Sequence, residues 1–99
     1  THVERDASRN NHYKRRLKKY QISADQHENL LNSQNYKCLI CEEAIDISSH
    51  IDHCHKTLRV RGILCYKCNL GLGFFRDNEM FLKNAIKYLN LPEISDTLS

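Results

Sequence analysis

The chain has no tryptophan, one proline and three glycines, and none of its apolar runs approaches the roughly 20 residues of a membrane span. A spanning helix is therefore excluded as an expectation. There is no apolar signal stretch, no internal repeat and no low-complexity segment. The cysteine count is odd, at five, whereas a secreted disulfide framework favours an even and more scattered set. The first residue is Thr1, as expected of a processed or excised piece, which leaves a removed targeting segment open.

At 99 residues the chain amounts to one domain, too short for a large hydrophobic core, so a second source of stability is needed. The cysteines supply one. Cys38/Cys41 and Cys65/Cys68 are two pairs with two residues inside each, a spacing that lets four thiolates close on one tetrahedral Zn2+. The 23 residues between the pairs leave room for a hairpin. Four thiolates fill the shell, so the expected role is structural, and a reducing cytosol is the expected compartment. Cys54 is left over and is expected to be a small buried residue.

The net charge of +3 is unevenly spread. Residues 1–20 carry seven basic side chains against Glu4 and Asp6, while the rest of the chain carries eight against ten. A positive arm of this kind suits a polyanion, although a solvated helix face explains it equally well. Tyr13, Leu17 and Tyr20 at i, i+4, i+7 predict an amphipathic helix over 12–20, with Arg15, Arg16, Lys18 and Lys19 around it. Ser23 and Gln26 have capping-box spacing, which predicts a second helix running to about Gln34. Segments 50–54 and 58–64 read as a hairpin, with Gly62 marking a bulge or a close backbone approach. Residues 69–75 read as helical. Asp77 is the expected N-cap of a last helix whose Phe81, Leu82, Ala85, Ile86 and Leu89 share one stripe, with Pro92 marking its end and a frayed tail over 93–99.

Between and after the cysteine pairs stand Asp52-His53-Cys54-His55 and Arg61-Gly62-Ile63-Leu64-Cys65, with Asn69 directly after Cys68. In this order the motifs resemble the recombination endonuclease VII-like branch of the HNH (ββα-metal) nuclease superfamily, over about residues 38–75 with similar helical flanks. The resemblance implies an α+β fold, a small ββα-metal core with a zinc knuckle and flanking helices. It also implies a metal-dependent DNA endonuclease in a bacterial or phage-infected host cytosol. His53 would be the general base, Asp52 and Asn69 the ligands of one catalytic Mg2+ or Mn2+, and His55 a phosphate contact or an orienting group.

Singly, each of these residues has a plainer explanation. Three histidines in six residues suit a second metal tract, and Asn69 suits a helix cap. Arg59, Arg61 and Lys67 join the four arm residues as candidate phosphate contacts, though any one of them is equally explained as a solvated charge. The rival reading is a zinc-stabilised nucleic-acid-binding module without catalysis. The expected organisation is a basic helical arm (1–22), a zinc-stabilised nuclease domain (23–91) and a tail (92–99), with DNA as partner and a homodimer or a larger parent protein left open.

Overall fold

A computed structural model describes the backbone of residues 2–94 and the side chains from residue 11 onward. The elements in chain order are α1 (His2–Tyr20), α2 (Ala24–Ser33), β1 (His50–His53), β2 (Val60–Leu64), α3 (Tyr66–Phe74) and α4 (Glu79–Leu89). This is a small α+β architecture. The side chains of Arg5 and Arg9, and residues 95–99 of the expected tail, lie outside the described residues. Two compact units divide the chain, one through Asn69 and one from Leu70.

In the first unit, Leu17 of α1, Leu31 of α2, Ile45, Ile51, Ile63 and Leu64 form the apolar core. The capping box forms as its spacing predicts: Ser23 Oγ accepts from Gln26 N at 3.1 Å, and Gln26 Oε1 accepts from Ser23 N at 2.8 Å. That pairing satisfies two N–H groups at the start of α2, a helix end that would otherwise compete with turn geometry. α2 ends on a side chain that serves the sheet. Gln34 donates through Nε2 to Ile63 O at 2.8 Å, and its Oε1 accepts from Ile63 N at 2.9 Å. Both backbone groups of a fully buried residue are thus satisfied by one side chain in place of a third strand.

β1 and β2 form an antiparallel pair in which Ile51 lies opposite Ile63, the two meeting in the core. Asp52 opposes Gly62 and His53 opposes Val60, so the register skips Arg61. The ladder is therefore irregular between Asp52 and His53, and the extra residue lies on β2. Gly62 lies beside it at a close approach, since a Cβ there would fall 2.7 Å from Leu39 Cδ1 and 3.2 Å from Gln34 Oε1. Both parts of the expectation for Gly62, a bulge and close packing, have physical counterparts.

The second unit holds the end of α3 and all of α4. Here the expected cap is corrected: Asn78, not Asp77, caps α4, accepting from Phe81 N through Oδ1 at 3.0 Å. Asp77 has φ 52° and follows Arg76 at φ 57°. Its backbone is therefore in the left-handed region, whereas an N-cap needs the extended conformation found at Asn78. The expected apolar stripe is only partly covered, with Leu82 and Ala85 half-buried but Ile86 60% and Leu89 79% exposed. α4 ends at Leu89, three residues before Pro92.

Candidate metal centre and adjoining histidine site

Cys38 and Cys41 sit on a tight turn, in which Cys38 N donates to Glu43 O at 2.8 Å and Glu42 N to Cys38 O at 3.0 Å. Glu42 takes φ 65° to close it. Cys65 and Cys68 enter from the end of β2 and the first turn of α3. The four Sγ atoms all lie within 4.8 Å of one another, and Cys41 Sγ is 3.6 Å from Cys65 Sγ. Tetrahedral Zn2+ with bonds of about 2.3 Å separates its sulfurs by about 3.8 Å, so the arrangement fits that ion.

Backbone N–H groups of Ile40, Glu43 and Cys68 point at the sulfurs of Cys38, Cys41 and Cys65 at 3.5, 3.5 and 3.4 Å. Such donors favour thiolate over thiol. Although burial opposes ionisation of Cys38, backbone donors from Cys41, Cys65 and Ile40 bring its thiol down to about 6. Burial and the neighbouring thiols push Cys68 up to about 12. In the ion's absence one sulfur is readily charged and another holds its proton, so metal binding releases protons. Cys54 takes no part. Expected to be buried, it is half-exposed in the hairpin turn, where its N–H and C=O pair with Arg59 O and Leu58 N.

The knuckle fixes Asn69, the residue after Cys68, against the start of β1. Asn69 Nδ2 lies 3.4 Å from His50 Nδ1, and the His50 ring packs 5.7 Å from Tyr66. Within the nuclease resemblance the sequence gives His50 no part, and its even spacing from Asp52 on one strand is the signal that places the two on one face. Asp52 is engaged by the bulged residue: Arg61 Nε donates to Oδ2 at 2.7 Å and Nη2 to Oδ1 at 3.2 Å. The Asp52 side chain is only 12% exposed, so this charge-assisted pair offsets its desolvation. His53 packs between two rings, Tyr20 at 5.4 Å and His55 at 5.0 Å. Among the described residues no hydrogen bond joins Asp52 to His53 or to Asn69.

The expected phosphate contacts separate into distinct settings. Arg15, Lys18, Lys19, Arg59 and Lys67 are exposed. Arg16 is half-buried and donates to Ile47 O at 2.9 Å and Ser49 O at 2.8 Å, tying the loop before β1 to α1. Arg61 is tied to Asp52. α1 also contributes Tyr13, whose hydroxyl is 2.8 Å from Nδ1 of the buried His27.

Residues 13–91 match the family model of recombination endonuclease VII. The chain is 41% identical over 79 residues to the Gene 59 protein of Mycobacterium phage L5, covering 77% of this chain and 48% of that protein. It is 40% identical over 79 residues to the Gene 59 protein of Mycobacterium phage D29, with the same coverage. The chain thus spans about half the length of the curated relatives it matches.

Proposed function

The chain belongs to the recombination endonuclease VII family, and from that premise we propose that it is an HNH-type DNA endonuclease in which a structural zinc holds the reacting groups in register. One observation carries this reading. The four-cysteine cluster ties the Cys68–Asn69 step to the first cysteine pair, and Asn69 there meets the strand that bears His50, Asp52 and His53. A bare zinc module has no use for that juxtaposition.

In the proposed reaction His53 accepts a proton from water as its oxygen attacks phosphorus, and the bond from phosphorus to the 3′-oxygen breaks. The ring contacts with Tyr20 and His55 restrain the His53 imidazole. Asp52 and Asn69 offer the hard oxygen donors of an Mg2+ or Mn2+ site, and Arg61 leaves part of the Asp52 carboxylate's acceptor capacity free. When bound, such an ion stabilises charge on the phosphate and the departing oxygen. Arg61 holds Asp52 in place, His50 orients the Asn69 amide, and the exposed cations of α1 and the turn meet the DNA backbone.

The domain organisation of arm, nuclease domain and tail, and DNA as partner, belong to the same proposal. No helix among the described residues is long and apolar enough to cross a membrane. Incubation with supercoiled plasmid, with and without Mg2+ or Mn2+, tests the activity: nicked or linear product only with added cation is expected. DNA binding with no cleavage under any of these conditions would leave the binding module in its place.

A further inference from the structure

A cleft of about 650 Å3 opens between the end of α1, α2 and the hairpin turn. Its volume lies within the roughly 300–1,000 Å3 typical of small-ligand sites. Tyr20, Ile22, Leu30, Leu58 and Val60 give it apolar walls. Lys19 and Arg59 supply cations, Gln21, Gln26 and Thr57 supply polar groups, and among the described residues no acidic side chain lines it. Apolar walls with cations and no carboxylate suit an aromatic ligand that carries negative charge.

Two links join this cleft to the proposed reaction centre. Tyr20, one of its walls, packs 5.4 Å from the His53 ring, and Val60, another, is the register partner of His53. A third observation singles out Leu58. It has φ 64° and is 69% exposed at the hairpin turn. Glycine or asparagine fits that backbone at lower cost, so folding alone gives no reason for leucine there. An exposed leucine held in a strained conformation beside a cationic cleft is accounted for by a ligand that it touches.

We infer that this cleft receives one unstacked base of the DNA strand engaged at His53, with Tyr20 and Leu58 as packing surfaces and Lys19 and Arg59 against the adjacent phosphates. The inference rests on the nuclease reading above. Base stacking on a side chain tolerates any sequence, since every base has an apolar face, and the cations add salt-dependent affinity.

The test uses the zinc-loaded full chain and DNA carrying single 2-aminopurine substitutions along one strand, as duplex, branched and single-stranded forms, without added divalent cation. The parent brightens 2-aminopurine at one position. Leu58→Met, which keeps an apolar side chain, does the same. Leu58→Asn relieves the backbone and melts a few degrees higher, yet binds roughly 10- to 100-fold more weakly and leaves emission flat. Parental affinity and brightening in Leu58→Asn would overturn the inference, as would a parent that cuts DNA while no position brightens. A parent that brightens one position but shows no cation-dependent cleavage retains the base site and removes the reaction. A parent that neither binds nor cuts DNA removes both.

Discussion

Replacing Gln34 with leucine isolates the contribution of one side chain to the sheet that carries the histidines. Gln34 is 8% exposed and, among the described residues, is the one partner of both backbone groups of Ile63 facing away from β1, at 2.8 and 2.9 Å, its Nε2 also donating to Lys37 O at 3.1 Å. Leucine fills a similar volume, so no large cavity opens, but the Ile63 N–H and C=O are left unpaired in a buried setting. Each such group costs about 1–3 kcal/mol, partly offset by the added apolar burial, for a net loss of about 2–4 kcal/mol. In a domain of this size that lowers the melting temperature by roughly 10–30 °C. Gln34→Glu is the sharper variant. It keeps an acceptor for Ile63 N but sets a carboxylate oxygen against Ile63 O, so it is comparably unstable at neutral pH and partly recovers when acid protonates it. Denaturant titration with zinc retained gives both values. Variants within about 0.5 kcal/mol of the parent would show that the amide bridge contributes nothing of note.

Three further outcomes are expected. Cys65→Ser loses the metal and most of the folded state, because in a small metal domain the binding free energy is largely folding free energy, and metal analysis with circular dichroism checks both. Gly62→Ala is destabilised because its Cβ falls 3.2 Å from Gln34 Oε1, which Ile63 N holds at 2.9 Å, while the exposed Leu39 Cδ1 at 2.7 Å turns aside; Gly73→Ala, with nothing within 4 Å and a helical site, gains about 0.5–1 kcal/mol, and thermal melts of the pair separate the two effects. Burial, with a smaller contribution from Arg16, holds His27 below its usual range. The unfolded chain then binds the proton first as pH falls, so stability contributed by neutral His27 is intact above about 6.5 and is lost below it by up to roughly 1.4 kcal/mol per pH unit. His27→Leu removes that part of the slope, read as the difference between parent and variant from pH 7 to 5.

What the sequence discloses here is mostly what neighbouring residues decide. The Ser23–Gln26 capping box and the two cysteine pairs are legible because each is closed by atoms three residues apart. The hairpin is legible from its composition and Gly62 signals a bulge, but that Arg61 is the skipped residue is not legible, since the skip depends on which residues β2 meets across the sheet. Asp77 and Asn78 are equally good caps on paper, and the left-handed backbone at Asp77 decides between them. Arg16 and Arg61 read as free cations in a linear sequence. Only the fold reveals that one holds the 47–49 loop and the other Asp52. The roles of Gln34 and His50 depend on partners 29 and 19 residues away, beyond the reach of any local pattern.

The most direct test of the central claim compares His53→Ala, Asp52→Ala and Asn69→Ala in plasmid cleavage over a range of Mg2+ and Mn2+ concentrations. His53→Ala is expected to fold, keep zinc and bind DNA while cutting about 100- to 10,000-fold more slowly at every cation concentration. Asp52→Ala and Asn69→Ala are expected to be impaired but partly restored as the cation is raised, because each removes a ligand rather than the base. Cleavage by His53→Ala at the parental rate would contradict the assignment of the general base and the mechanism built on it.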